Sequence, residues 1–259
     1  MSVLNSLFSA FLMYSRIPVP QVEWREENRR YALCFFPLVG AVVGGVFLLW
    51  RYICDAMSIG RLLSGAVSAV IPLIVTGGIH MDGFCDVVDA GSSFGDRQKK
   101  LNIMSDPHIG SFSAIWLGAY LIVHAALLSE ISGFRTAAAL ACSYVLSRSL
   151  SGIAAVTFKG AKKEGALQSF VKPAHKKITV SVLLVITACA CSGMMILSPV
   201  SGGAAIICAG LSFVYYRISA YRNFGGITGD TAGWFLQICE LSTATAAVFG
   251  EKLTEVLCL

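Results

Sequence analysis

Apolar runs of membrane-spanning length alternate with short polar segments along this chain. Spans are read at about 33–52, 62–79, 111–128, 136–156, 178–197, 203–218 and 234–249, each near the ~20 apolar residues a bilayer core requires. Trp50 and Tyr52 close the first of these, where aromatic side chains suit a membrane interface. The stretch from Ser2 to Tyr14 is apolar but too short to span, and Arg16, Pro18 and Pro20 stop it. It therefore predicts an interfacial or re-entrant helix with Arg16 at the headgroups. Between the second and third spans the pattern turns acidic. The first half of that stretch predicts a continuation of the second helix, broken by Gly91, Ser92, Ser93 and Gly95. A short surface helix is predicted over Gln98–Met104, then a turn at Asp106-Pro107, because a residue before proline avoids the helical region. The predicted fold class is all-α: a polytopic integral membrane helix bundle of about seven transmembrane helices with an N-terminal interfacial helix, forming one membrane-embedded domain over residues 1–259.

Composition agrees with that reading. The chain is 56% hydrophobic and 14% charged, against about 25% charged in soluble domains. Mean hydropathy is +0.71. The net charge of +5 comes from 20 basic and 15 acidic residues, and its distribution explains it better than a nucleic-acid partner would. With the N-terminus inside, Arg16, Arg25, Arg29, Arg30, Arg97, Lys99, Lys100, Lys159, Lys162, Lys163, Lys172, Lys176, Lys177 and Arg222 all fall on the inner side. Only Arg51, Arg61, Arg135 and Lys252 fall on the outer side. This is a positive-inside bias, and it predicts cytoplasmic functional loops. Nine cysteines show no metal-type pair, and most lie in apolar runs as small hydrophobes, so neither zinc nor a disulfide is expected. The N-terminus lacks a basic segment before its first apolar run, so no cleavable signal peptide is expected.

The candidate chemistry sits in Gly77–Phe112. Advancing about 100° per residue from Asp82 puts Asp86 near about 40° and Asp89 near about −20°, so the three carboxylates share one narrow helix face. At ~5 Å and an effective dielectric near 20, each pair would repel by roughly 3 kcal/mol. A hard divalent cation with oxygen ligands is the simplest compensation; a solvated polar face is the alternative. Asp106 and, from a distant loop, Asp230 can add carboxylates. In that loop Gly225, Gly226 and Gly229 can form an anion nest or simply a tight interhelical turn. Glu240 and Arg148 lie within spans, where either a structural ion pair or a catalytic role fits. His80 and His108 flank the acidic stretch and can act as bases or as ordinary hydrogen-bonding histidines. Lys159, Lys162 and Lys163 can hold a phosphate or serve as topology signals alone. Aspartates, a glycine-rich loop and lysines on one face of a bundle point to metal-assisted phosphoryl transfer. A cation transporter is the rival reading, but it predicts acids at mid-membrane on several helices, and only Glu240 lies well inside a span.

Four ordered blocks carry a family resemblance: Phe35–Gly40 (FFPLVG), Gly77–Asp89 (GGIHMDGFCDVVD), Met104–Gly110 (MSDPHIG) and Gly225–Asp230 (GGITGD). With the earlier Ser15-Arg16-Ile17-Pro18, they resemble the motifs of the cobalamin synthase family, the adenosylcobinamide-GDP ribazoletransferases. The chain departs from the family pattern at Cys85, where a small residue is usual, and at Pro107-His108, where Ser-Arg is usual. Asp82-Gly83 alone does not match the longer CDP-alcohol phosphotransferase motif. The resemblance implies a transferase that joins adenosylcobinamide-GDP to α-ribazole or its 5′-phosphate with release of GMP, dependent on Mg²⁺. It implies Asp82, Asp86 and Asp89 as the Mg²⁺ shell, one of them or His80 serving as base, with Asp106 and Asp230 as further metal ligands. Arg16, His108, Arg148, Lys159, Lys162, Lys163, Gly225, Gly226 and Gly229 are the expected substrate and phosphate contacts. The implied partners are the corrinoid nucleotide, α-ribazole and the lipid bilayer of a bacterial cytoplasmic membrane; a homo-oligomer stays open.

Overall fold

A computed structural model describes residues 2–257; Met1 and the last two residues of the C-terminal tail, Cys258 and Leu259, lie outside it. The described residues form helices α1 (Ser2–Tyr14), α2 (Glu26–Arg29), α3 (Ala32–Ala56), α4 (Arg61–Thr76), α5 (Ile79–Ser92) and α6 (Arg97–Ile103). They continue with α7 (Ser111–Glu130), α8 (Phe134–Thr157), α9 (Ala166–Val171), α10 (Lys176–Leu197), α11 (Pro199–Phe224) and α12 (Gly229–Leu257). No strand occurs among the described residues, and the only extended pairing there is a parallel bridge between Gly160 and Ile227.

The all-α membrane class expected from the pattern is the observed one. Helices α3, α7, α8, α10 and α11 are long and apolar enough to cross a membrane. Helices α4 and α5 would make a sixth crossing only as a pair bent by 98°. The 29-residue α12 has the length of a span, at about 1.5 Å per residue, but is more polar. The helices α11 and α12 run four to eight residues beyond the expected spans at each end, and the connectivity differs between α4 and α5. The expected continuous helix does not exist: Gly77 and Gly78 both have positive φ, 67° and 81°, which a glycine adopts without a Cβ penalty. The chain turns there, and the acidic stretch becomes a separate helix packed chiefly against α12 and α7.

Helix α8 runs through the centre, packed against α3, α10, α11 and α12. Its small residues allow this. Ala137, Ala141, Ser147, Ser151 and Ala154 are all buried, and a Cβ on Gly40 of α3 would lie 2.7 Å from the Tyr144 carbonyl carbon. Without a hydrophobic drive between helices in lipid, such close backbone approach is what holds a bundle together. Outward faces of α7, α10 and α11 stay apolar, with Ile122, Val185, Ile196, Ile207 and Leu211 exposed as lipid contacts. At one end Glu251 accepts from the N–H groups of Ser132 and Gly133, and Arg51 donates to Ser64 and Ile131, closing the turns there. At the other end α5, α6, α9 and α1 gather over the ends of α4, α8 and α11 and the starts of α3, α7 and α12. Expected functional loops share that end. The short α1 packs on α3 there, with Tyr14 and Phe36 ring centroids 4.3 Å apart.

Candidate active site

Helix α5 lies against the start of α12 with almost no side chain between them. A Cβ on Gly83 would lie 2.8 Å from Asp230 Cα, and one on Gly233 would lie 2.8 Å from the His80 carbonyl oxygen. Two glycines on facing helices therefore bring the acidic helix and the GGITGD loop together. Asp86, half-buried, is within electrostatic reach of Asp82, Asp230, Asp89 and Lys162.

Two cavities meet at Asp82. The larger, about 940 Å³, is lined by Asp82, Asp86, Asp89, Arg16, Asp106 and His108 among others. The smaller, about 190 Å³, is mainly apolar and is lined by Tyr14, Phe36, Ala155, Leu167 and Leu236, with His80, Asp82 and Asp230 also in its wall. A third cavity of about 220 Å³ lies between Lys162 and the first turn of α12, where Thr228, Gly229 and Asp230 contribute. Arg16 reaches the large cavity because its backbone N–H is tied to the Val75 carbonyl at 2.8 Å and its side chain packs over Gly77.

The carboxylates do not act alike. Asp89 is the cap of α7: its oxygens accept from Gly110 N at 2.7 Å, Ser113 N at 3.0 Å and Ser113 Oγ at 2.5 Å. Gly110 has no side chain to cap that helix, so Asp89 satisfies the orphan N–H groups from a neighbouring helix. Asp106 folds onto its own loop, accepting from His108 N at 3.0 Å and pairing with His108 Nδ1 at 2.6 Å. These His108 contacts hold the Asp106 carboxyl below the usual carboxylate range. The expected multi-carboxylate shell is thus not preassembled: among the described residues no three His, Cys, Asp or Glu side chains converge as a metal cluster. Asp82 and Asp86, one turn apart, remain uncapped, with Asp230 across from them. Mg²⁺ that serves phosphate chemistry is commonly held by one or two carboxylates with substrate oxygens and water, so this reduced donor set still fits it.

Three further expectations change. Arg148 is fully buried and ion-paired with Glu240 beneath the site, so it cannot reach a substrate. Its place is set by α8 packing, which brings it over the Tyr144 ring at 5.6 Å. Gly225 and Gly226 do not form an anion nest. Their N–H groups already donate to Tyr221 and Ala220 carbonyls as the cap of α11. Gly229 differs: neither its N–H nor that of Asp230 has a partner among the described residues, leaving two donors at the α12 start. Of the three lysines, only Lys162 lines a cavity at the site and bonds Ser105 Oγ at 2.9 Å; Lys159 and Lys163 are exposed. His80 is buried and its ring nitrogens have no hydrogen-bond partner among the described residues.

A family description, CobS, cobalamin-5-phosphate synthase, matches residues 6–248. The chain belongs to this family. Relatives named adenosylcobinamide-GDP ribazoletransferase share 44% identity in Lachnoclostridium phytofermentans, over 97% of this chain and 96% of the relative. They share 30% in Treponema denticola, over 95% and 98%, and 28% in Clostridium botulinum strain Alaska E43, over 93% and 95%. No solved structure matches the chain. The CobS match spans every element of the site, from α1 to the start of α12.

The docking of Lys162 has no counterpart in the sequence pattern. Ile227 N donates to the Lys159 carbonyl at 2.9 Å and Ala161 N to the Ile227 carbonyl at 2.8 Å, stitching the lysine loop to the GGITGD loop. Two loops more than sixty residues apart give no local signal of such a bridge. Nor was the reciprocal cap of α12 read, in which Thr228 N bonds Thr231 Oγ1 at 2.8 Å and Thr231 N bonds Thr228 Oγ1 at 3.1 Å. There a signal was present: threonine directly before an apolar helical run.

Because Asp89 accepts only N–H and O–H donors, Asp89→Asn would set an amide NH₂ against at least one of them. The expected result is a loss of about 1–3 kcal/mol of stability, the cost of a buried unpaired group, read as a lowered unfolding midpoint in detergent. Asp106→Asn, in an exposed loop, should leave that midpoint unchanged.

Proposed function

We propose that the chain is a Mg²⁺-dependent adenosylcobinamide-GDP ribazoletransferase. The observation that carries this reading is the meeting of an open, carboxylate-lined cavity and a small apolar cavity at one carboxylate, Asp82. A phosphoryl transfer between a charged diphosphate and a mostly apolar acceptor needs such a junction. The diphosphate of the corrinoid nucleotide lies in the large cavity, steered by Arg16 and Lys162. The acceptor hydroxyl lies at Asp82. It attacks the phosphorus nearer the corrinoid, its oxygen–phosphorus bond forms as the bond to GMP breaks, and Asp82 takes the hydroxyl proton. GMP departs with the bridging oxygen. Bound Mg²⁺, held by Asp82 and Asp86, would neutralise the diphosphate oxygens. The free N–H groups of Gly229 and Asp230 supply further donors to phosphate. Whether the acceptor carries a 5′-phosphate sets only the charge of the product.

The deciding assay combines protein in nanodiscs, adenosylcobinamide-GDP, α-ribazole and Mg²⁺, and follows GMP release. Release that requires all four components is expected. No release at saturating substrates would sink the reading.

The orientation belongs to the same proposal. Basic residues crowd the site end of the bundle, and by the positive-inside rule this supports a cytoplasmic location in a bacterial cell for that end and the N-terminus. Single cysteines introduced beside Lys163 and Arg222 should resist a membrane-impermeant thiol reagent in sealed cells. Those beside Arg61 and Arg135 should react. The reverse pattern would invert the topology.

A further inference from the structure

We infer that the cleft between α7 and α11 binds one anionic phospholipid, with an acyl chain in the cleft and the phosphate at the basic helix α6.

The packing of the bundle leaves this cleft. Helix α12 packs against both α7 and α11, and α5 packs against α7 and α12, so α5 and α12 form the floor of the gap between α7 and α11. The gap holds about 530 Å³. Trp116 and Val123 of α7 and Tyr215 of α11 stand in its walls and are exposed, so it opens on the lipid-facing side of the bundle. Phe84, Val87, Val88 and Gly91 supply the α5 part of the floor. They fall about 140–240° around that helix from Asp82, so the cleft lies behind the acidic face and is separate from the site. From Trp116 to Val123, and from Trp234 to Leu241, it runs about 10 Å at 1.5 Å per residue. That is most of one leaflet, half of a hydrocarbon core about 30 Å thick.

Charge selects the occupant. No charged side chain lines the cleft, and Ser92, Ser219 and Asn223 stand at its site end, where α5 and α11 finish. There α6 lies across the ends of those helices. Lys100 Nζ donates to Asn223 Oδ1 at 2.8 Å, and Arg97 Nε donates to the Phe224 carbonyl at 2.5 Å. Both acceptor residues belong to the cleft wall. Arg222 is exposed and, seven residues from Tyr215, shares its helix face. None of these three cations is ion-paired among the described residues. Asp96, the nearest acid in sequence, is engaged as the cap of α6, accepting from Lys99 N at 2.8 Å. An apolar slot that ends in unpaired basic side chains at headgroup depth matches an anionic lipid. An acyl chain brings no polar group that the slot would leave unpaired, whereas a peptide in extended form would.

The test is lipid titration of the delipidated full-length chain in detergent, followed by native mass spectrometry. Phosphatidylglycerol, phosphatidylcholine with the same acyl chains, and glycerol 3-phosphate are the probes. Wild type should retain one phosphatidylglycerol most tightly, about tenfold or more over phosphatidylcholine, and should not retain glycerol 3-phosphate. Arg97→Gln/Lys100→Gln should weaken that first phosphatidylglycerol about tenfold or more, the scale of two basic contacts at a membrane surface. Lys176→Gln/Lys177→Gln, which removes the same charge from the exposed start of α10, should leave it within twofold. Ala119→Trp fills the cleft from an exposed position on α7 and should also displace the first lipid. It keeps the test open if the α6 variant does not fold. Equal retention of the two phospholipids overturns the inference, as does an equal loss in the α6 and α10 variants. Unchanged retention in Ala119→Trp would place the lipid elsewhere. A dimer that persists without lipid and is broken by Ala119→Trp would give the cleft to a second copy of the chain and overturn the lipid assignment.

Discussion

Asp86→Asn should lower turnover by at least about 10², the scale of one lost electrostatic or acid–base element, while the protein inserts and folds normally. Folding should survive because Asp86 is half-buried among like charges, within reach of Asp82, Asp89 and Asp230 with only Lys162 opposing them. Removing one such carboxylate relieves repulsion. Asp82→Asn should show a loss of similar size with a different signature. Asp82 lines both cavities and Asp86 only the large one. If Asp86 serves the metal alone, its variant should need more Mg²⁺ for half-maximal rate and recover part of its activity at high Mg²⁺. If Asp82 also takes the acceptor proton, its variant should stay slow at saturating Mg²⁺. Asp55→Asn, at the opposite end of the bundle, should match wild type in both respects. Steady-state GMP release across a Mg²⁺ series reads all three, and near-wild-type rates for both Asp82→Asn and Asp86→Asn at limiting Mg²⁺ would move the site elsewhere.

What was legible from the chain differs by length scale. Helices α3, α7, α8 and α10 were readable within about two residues in most cases, because membrane length and apolar composition are themselves local properties. The aspartate face was legible because helical periodicity fixes which side chains align. The bend at Gly77-Gly78 was not read. The apolar pattern runs up to it, and two glycines inside a span are common enough to pass as packing residues. Their positive φ values turn the chain between α4 and α5, and Gly77 also leaves room for the Arg16 side chain. The difference between Asp89 and its two neighbours could not be read either. All three lie on one face, and what separates them is the neighbouring α7, whose Gly110 start needs a cap. The sequence likewise could not tell that Lys162, of three nearby lysines, faces the site, since a backbone bridge to Ile227 sets that register.

Glu240→Ala should be the most destabilising single change in the bundle, by about 3–5 kcal/mol, because it leaves the Arg148 charge buried without a partner. Arg148 and Glu240 are 0% and 1% exposed at the side chain, and no other carboxylate pairs with Arg148 among the described residues. The pair is also incompletely satisfied. Arg148 Nη1 makes the bonds to Glu240, Ser147 and Tyr144, while Nε, Nη2 and Glu240 Oε2 have no partner among the described residues. A buried pair with open valences gains less than it costs in desolvation, so replacing both members with apolar residues should restore most of the loss. The double variant Arg148→Met/Glu240→Leu is therefore expected to unfold within about 1 kcal/mol of wild type, at the neutral end of what such replacements give. Because neither residue lines the cavities at Asp82, turnover per folded molecule should change little in that double variant. Unfolding midpoints in detergent and active-fraction-corrected GMP release measure the two effects separately. A stable double variant with turnover lowered by about 10² would give the pair the catalytic role that its burial argues against.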